Sequence, residues 1–271
     1  NSLLGWWRFE NSTSAIDETG VNNGTLNGGV SAGSGKFGQR YGFDGVNDYV
    51  DLGQIHPSKV TLSYWVNART ANGALGERII SNYEGSGTAG NGLIISDFRN
   101  TNVTNGVRFA IKAGGTQYNS YTTITTPLNQ WVHIAGVYDG LSLNIYYNGV
   151  MHQNISAPGG DLVSNSRSLV IGEDSNYGAV AGEWFNGSID EVMIFNRSLS
   201  SSEIASLYNS TATKYYNNFT NLTEGQHNIK GYAVDIVGNK NQTETRTATV
   251  DFSPPSFTIT NPLNQTYNTN N

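Results

Sequence analysis

The stretch "NGSIDEVMIFNRSLSSSEIASLY", residues 186–208, decides how the chain is read. Its first half is an apolar run of strand character interrupted by two adjacent acids, Asp190 and Glu191. Strict period-two alternation puts Ile189, Glu191, Met193 and Phe195 on one face of a strand 187–196, and Asp190, Val192 and Ile194 on the other. The two carboxyls then diverge, whereas a general acid/base pair converges on one bond with its carboxyls roughly 5–9.5 Å apart. Whichever acid meets the core needs a cation or several donors, because an unpaired buried charge costs several kcal/mol. The second half starts a helix. Ser200 is an N-cap with Glu203 reaching back from the third helical position, and Leu199 staples onto Ile204. Two turns, 201–208, with Leu207 beside Ile204, are expected to plug one end of a sandwich by packing alone.

Working outward, "YVDLG", "VTLSYWVNA", "ERIISNY", "NGLIISDF", "GVRFAIKA", "QWVHIAGVYD", "LSLNIYYNGV" and "RSLVIGED" each read as a short strand broken by Gly and Asn. The rhythm is that of an all-β sandwich. In "WVHIAGVYDGLSLNIYYNG" the pair Asp139-Gly140 closes a hairpin, since tight connections favour residues that tolerate positive φ. In "VTLSYWVNA", Val60, Leu62, Tyr64 and Val66 form a core face. Thr61, Ser63, Trp65 and Asn67 form the opposite one, open to solvent or to a ligand groove.

Composition agrees. Of 271 residues 37% are hydrophobic and only 13% charged, so the chain buries a core beneath a surface of uncharged polar groups. A net charge of −6 without a Lys/Arg cluster removes the footprint of nucleic-acid binding. Zero cysteines exclude disulfides and thiolate chemistry. No apolar run reaches the roughly 18 residues of a membrane span. The first residue is Asn1 and the last ones are "NQTYNTNN", so the chain reads as a piece of a longer protein. Asn-x-Ser/Thr sequons at Asn11, Asn23, Asn102, Asn154, Asn186, Asn196, Asn209, Asn218, Asn221, Asn241 and Asn264 fit a secreted glycoprotein. Among the four histidines, His56 precedes Pro57, His133 lies in a strand near Trp131, and His152 and His227 lie near loops or strand starts. None forms an H-x-x-x-H pair or a triad with a Ser and an Asp.

"LLGWWRFEN…AIDETGVNNGTLNGGV", "KFGQRYGFDGVNDYVDLG", "VTLSYWVNA", "QWVHIAGVYDG…LNIYYNGV" and "FNGSIDEVMIFNRSLSSSEIASLY" follow one another in an order that resembles a laminin-G-like jelly roll of the concanavalin A-like lectin/glucanase superfamily. The resemblance covers roughly residues 3–209. It implies two antiparallel sheets of about six or seven strands each, one concave and one convex, with the first and last strands as neighbours; the fold expected is this sandwich with the short C-terminal helix read above. It also implies a structural calcium where an N-terminal loop meets the last strand, held by Asp17, Asn22, Thr25 and Asp190, oxygen donors of the kind calcium takes. A rival set is Glu10, Asp44 and the Gly45 carbonyl; without a metal, Asp190 accepts hydrogen bonds from backbone donors or Arg40. Retaining glucanases of the superfamily carry an E-x-D-x-x-E strand, and no such spacing occurs here, so the expectation is a non-enzyme.

Beyond Tyr208 the alternating segment with "LTEGQHNIKGYAVDIVGN" resembles the immunoglobulin-like repeats of prokaryotic surface proteins. The division expected is a jelly roll over 1–209 and an incomplete immunoglobulin-like sandwich over 210–271, with 254–271 as the first strand of a next repeat. Its open edges require completion by the jelly roll, by a neighbouring copy or by sequence outside this chain. Copies joined end to end would make 1–271 one repeat of a fibre. The expected function is a structural or adhesive module at the cell surface, partnered by flanking repeats or copies of itself. The alternative is a glycan-binding module that uses Tyr64, Trp65, Tyr83, Phe98, Arg108, Tyr118 and Tyr121 along one sheet or its rim. The loop 83–92, "YEGSGTAGNG", is the variable rim of that reading.

Overall fold

The computed structural model describes residues 2–70, 76–82, 93–100, 105–174, 183–212, 221–234 and 240–254. The chain forms two compact units, Asn1–Lys214 and Tyr215–Asn271. The first opens with β1 (Leu3–Trp7), β2 (Thr25–Asn27), β3 (Ser31–Ser34), β4 (Gln39–Asp44) and β5 (Tyr49–Asp51). Five longer strands follow: β6 (Val60–Ala68), β7 (Glu77–Ser81), β8 (Leu93–Asn100), β9 (Asn105–Ala113) and β10 (Thr116–Tyr121). Then come β11 (Val132–Tyr138), β12 (Ser142–Tyr147), β13 (Val150–Ser156), β14 (Val170–Ile171), β15 (Asn186–Phe195) and the helix α1 (Ser201–Ala212).

They build an all-β jelly-roll sandwich of two antiparallel sheets. The eight-stranded sheet runs β13-β12-β11-β6-β15-β4-β3, with β1 beside the end of β15, so the first and last strands are neighbours. The seven-stranded sheet runs β10-β9-β8-β7-β14-β5-β2. Between them lies one apolar core. It takes Val60, Leu62, Tyr64 and Val66 from β6, Ile94 and Phe98 from β8, Val107, Phe109 and Ile111 from β9, and Ile189, Val192 and Ile194 from β15. The sheets approach closely at Gly136, where an added Cβ would stand 2.4 Å from the Phe109 ring. The hairpin β11–β12 closes at Asp139-Gly140 as the sequence predicts: Gly140 has φ +96° and Asp139 Oδ1 accepts the Leu141 and Ser142 amides.

The helix begins as its capping residues dictate. Ser200 N–H donates to Glu203 Oε2 (2.8 Å), and Glu203 N–H donates to Ser200 Oγ (3.3 Å). It is twelve residues long, longer than the two turns expected. It does not plug an end of the sandwich. Leu199 and Ile204 pack on Ala135, Val137 and Tyr146, the outward residues of β11 and β12, so α1 lies across the outer face of the eight-stranded sheet. Thr61 fixes the approach, its hydroxyl donating to the Arg197 carbonyl (2.7 Å) and accepting from the Leu199 amide (2.9 Å). The outward face of β6 is therefore neither open to solvent nor a groove.

In the second unit β16 (Gly225–Ile229) pairs with β19 (Arg246–Val250), and β17 (Tyr232–Val234) with β18 (Lys240–Gln242). Both pairings are antiparallel and two-stranded.

Candidate functional site

The two acids of β15 do not diverge, and the cause is a β-bulge. Asp190 pairs with Trp65 but Met193 with Ser63, so three steps along β15 answer two along β6. Ile189 and Val192 are consecutive core residues with two residues between them instead of one, so Asp190 and Glu191 leave the core on the same side. Glu191 sits at φ +50°, a region uncommon for a residue other than glycine.

Sharing a face does not make them a catalytic pair, because protein donors hold both. Asp190 is fully buried; its Oδ2 accepts the Phe37 amide (2.9 Å) and its Oδ1 the Glu191 amide (2.8 Å). Burial pushes its pKa up to about 8, with the Glu191 charge adding to the rise and the backbone donors opposing it. Glu191 accepts the Trp6 indole N–H at 2.7 Å and lies 3.5 Å from the Arg8 guanidinium. Burial raises its pKa as well, against the pull of those two partners.

The residues expected to hold a calcium ion do not fit one. Asp17 Oδ1 accepts the Trp6 and Thr19 amides, both at 2.9 Å, and Oδ2 accepts the Thr19 hydroxyl (2.5 Å) and the Asn22 amide (2.9 Å). Burial raises the Asp17 pKa, but these donors, at least two on each oxygen and so enough to fill its lone pairs, outweigh it and hold the carboxyl below its usual value. Asn22 spends its side-chain amide on the Leu4 carbonyl, and Thr25 is an exposed residue of β2, on the opposite sheet from Asp190. In the rival set, Glu10 accepts the Gln39 amide and Asp44 the Val46 amide. Among the described residues no three His, Cys, Asp or Glu side chains group as metal ligands.

The aromatic residues proposed to meet a glycan scatter over both sheets. Tyr64 points into the core with its hydroxyl on Ser96 Oγ, and Phe98 is fully buried there. Trp65 lies under α1, ring-packed against His133 (5.5 Å) and Tyr208 (5.8 Å), with Lys36 Nζ 4.3 Å above it. His133 in that cluster bonds Ser63 Oγ at 2.9 Å, and burial lowers its pKa to about 3. It is a neutral packed residue. Tyr118 packs against the core, and Tyr83 with the loop 83–92 lies outside the described residues.

Arg108 and Tyr121 remain, and they are cross-strand partners on the outer face of the seven-stranded sheet. Alternation places Arg108 between the core residues Val107 and Phe109, hence facing out, and Tyr121 with it. The same face of β10 carries Asn119 and Gln117. Arg108 Nη1 donates to Asn119 Oδ1 (3.0 Å), and Gln117 Nε2 donates to the same oxygen (2.9 Å). Beside this strip, on the same face, lies a buried ionic network centred on Asp97. Its Oδ2 meets Arg78 Nη1 at 2.6 Å and Arg108 Nη2 at 2.5 Å, and its Oδ1 lies 3.1 Å from Arg99 Nε. Arg78 continues to Glu183 (3.2 Å) and Asp174 (3.5 Å). The nearby Glu173 is buried beside Asp174, and burial followed by that charge raises its pKa to about 7.

The network fixes the buried Arg108 guanidinium of β9, which in turn holds Asn119, while β10 presents an exposed phenol ring and an amide pair in one row. Such a row suits a ligand with hydroxyl groups and an apolar face. Sequence reading selected Arg108 and Tyr121 but passed over Asp97, Gln117 and Asn119. The signal was available in the alternation of "TQYNSY", 116–121, which sets Gln117, Asn119 and Tyr121 on one side.

Of the sequon asparagines, Asn11, Asn23, Asn154, Asn196, Asn209 and Asn221 are exposed and Asn186 is half-buried. Asn102, Asn218, Asn264 and the Asn241 side chain lie outside the described residues.

A family model of the concanavalin A-like lectin/glucanases superfamily, of laminin-G type, matches residues 44–205. No curated protein matches the chain. Among solved structures, domain 4 of AbnA, a GH43 extracellular arabinanase from Geobacillus stearothermophilus solved in complex with arabinotriose, is 18% identical with a TM-score of 0.61. The match covers 76% of this chain and 98% of that one. The binding domain of Paraclostridial Mosquitocidal Protein 1 is 17% identical, with a TM-score of 0.63 over 77% of this chain and 52% of its own. The binding domain of botulinum neurotoxin serotype G is 15% identical, with a TM-score of 0.60 over 79% and 52%. The match thus spans about half the length of the two toxin domains. With its two sheets, its β1–β15 pairing and a family match over more than half its length, the chain belongs to the laminin-G-type jelly rolls of the concanavalin A-like lectin/glucanases superfamily.

Proposed function

We propose that the jelly roll is a non-catalytic binding module, the adhesive part of an extracellular, multi-domain surface protein, and that it recognises a glycan along β10. One observation carries the reading: the accessible polar row Gln117–Asn119–Tyr121 is backed by an Arg108 held rigid on buried Asp97. Hydrogen-bonding groups held in place before the ligand arrives spare the ordering cost of association. The acids of β15 lie buried and bonded on the other sheet, where they offer no substrate access. Binding domains among similar folds, one of them solved with arabinotriose, support the reading by analogy only. A glycan array probed with wild type and Tyr121→Ala tests it. Retained glycans on the wild type, weakened about tenfold or more in the variant, are expected, as for loss of one aromatic anchor; an array signal indifferent to Tyr121 excludes the β10 row as the site.

A second reading rests on the other unit. Among the described residues its strands pair two by two, and isolated two-stranded ribbons are marginal in water. In this reading residues 210–271 are immunoglobulin-like strands completed by a neighbouring copy, giving head-to-tail assembly. Light scattering on the full chain and on residues 2–214 separates the two: association of the full chain alone supports assembly, and two monomers dismiss it.

A further inference from the structure

Arg8, Arg78, Arg99, Arg108, Arg197 and Arg246 each form an ion pair with a carboxylate. Arg40 and Arg69 have none among the described residues; their hydrogen bonds go to carbonyl, hydroxyl and amide oxygens. Arg40 precedes the core residue Tyr41 on β4, and Arg69 follows the core residue Ala68 at the end of β6. Alternation therefore turns both side chains to the outer face of the eight-stranded sheet. Distant in sequence, they meet because β4 and β6 flank β15 on either side, with the Arg69 amide donating to the Asn186 carbonyl at 3.0 Å.

The Arg40 guanidinium rests on a floor without side chains. A Cβ added at Gly42 would overlap its Nη1, and one at Gly33 would stand 3.0 Å from its Nη2. Nη1 donates to the Ser31 carbonyl (3.3 Å) and to Ser31 Oγ (3.4 Å). Arg69 Nη1 donates to the Phe43 carbonyl (3.2 Å) and to Asn186 Oδ1 (3.3 Å). The two guanidiniums thus stand over consecutive residues of β4, Gly42 and Phe43. Nε and Nη2 of each bond no described residue. These donors are accessible: Arg69 is exposed, Arg40 is partly so, and no unpaired nitrogen of Arg40 is buried.

Burial lowers the Arg40 pKa, and the Arg69 charge lowers it further. Like charges held side by side disfavour one another, and an anion between them reverses the sign of that interaction. The acids nearby do not supply it. Asp44, exposed on the same strand, accepts the Val46 amide (2.8 Å), and Asp190 is buried on the Phe37 and Glu191 amides. A guanidinium presents its donors as a planar fork that matches the two oxygens of a carboxylate. With Asp44 on the same strand, a single negative charge meets less repulsion than a dianion does. We propose that Arg40 and Arg69 form an anion site, on the opposite sheet from β10 and independent of it, that binds the carboxylate group of a small ligand. The site shares no residue with the β10 row.

The test is an NMR titration of the full ¹⁵N-labelled chain with methyl β-glucuronide, acetate, methyl β-glucoside and sulfate in the millimolar range, at an ionic strength held constant with chloride. Saturable shifts of Arg40 Nε and Arg69 Nε are expected with the glucuronide, with acetate or with both, and none with the neutral glucoside. A response to the glucuronide alone identifies a sugar acid as the ligand, and one that includes acetate identifies the carboxylate itself as sufficient. Arg69→Gln, at an exposed position, is expected to weaken that binding about tenfold or more, read on Arg40 Nε. Gly42→Ala, whose Cβ displaces the Arg40 guanidinium, is expected to do the same, read on Arg69 Nε, while Tyr121→Ala leaves the binding unchanged. Should Gly42→Ala fail to fold, Arg69→Gln alone decides. No saturable shift with either carboxylate overturns the proposal, as do a glucoside response equal to that of the glucuronide, tighter binding of sulfate than of either carboxylate, or binding that survives either site variant. A failure on the glycan array with an intact Arg40 and Arg69 response removes the β10 reading and leaves this one standing.

Discussion

Asp190 shows how one inserted residue changes the meaning of a sequence. Alternation along "SIDEVMIF" is the right first rule, and it assigns the face of Ile189, Val192 and Ile194 only once a bulge is allowed between the acids. No residue in that stretch announces the bulge: Glu191 takes the positive φ that a glycine would have signalled. Long-range partners hold it there, the Trp6 indole and Arg8 of the N-terminal segment, and such partners cannot be read from local pattern. Burial of Asp190 has a pH consequence with a definite sign. Its folded pKa is raised to about 8 from 3.8, so the folded state keeps a proton that the unfolded chain releases. The contribution is complete below the unfolded value and is lost as pH rises through the folded one. Melting temperature followed from pH 5 to 9 is expected to fall more steeply for wild type than for Asp190→Asn, which has no such proton to lose; parallel curves would contradict the assignment.

At the scale of elements, the helix start was legible to the residue because capping is local chemistry: Ser200, Glu203, Leu199 and Ile204 do what their spacing dictates. Where the helix docks was not legible, since its seat is made by Ala135, Val137 and Tyr146 from strands some sixty residues earlier. The same gap explains Trp65. It sits on the predicted outward face of β6, and its cover, Tyr208, comes from within α1, far along the chain. The Glu203 carboxyl is held down to about 2 by Arg197 and the Ser200 donors, so the cap stays charged across the neutral range. Ser200→Ala removes the acceptor for the Glu203 amide and is expected to cost about 1 kcal/mol in denaturant unfolding. A change within about 0.2 kcal/mol would show that tertiary seating alone holds the helix.

For the whole molecule, the succession of short strands fixed the class, and the paired first and last strands closed it as the resemblance implied. The residues of the proposed β10 site were legible in part. Aromatic type alone cannot separate Tyr64 in the core from Tyr121 at the surface, whereas strand register does. Asp97, central to the ionic network, looked ordinary in sequence because three guanidiniums reach it from three different positions in the chain, Arg78, Arg99 and Arg108. The first unit carries its own core, so residues 2–214 alone are expected to unfold cooperatively with the main transition of the full chain. A fragment without a cooperative transition would mean that the second unit is required for the fold.

The most direct measurement joins binding to turnover: an oligosaccharide retained on a glycan array is incubated with wild type, Arg108→Ala and Glu191→Gln, and both retention and release of new reducing ends are followed. Wild type and Glu191→Gln are expected to retain the sugar equally and release nothing, with Arg108→Ala losing retention. Reducing ends produced by wild type and abolished by Glu191→Gln would contradict the claim that the acids of β15 brace the sandwich while β10 binds.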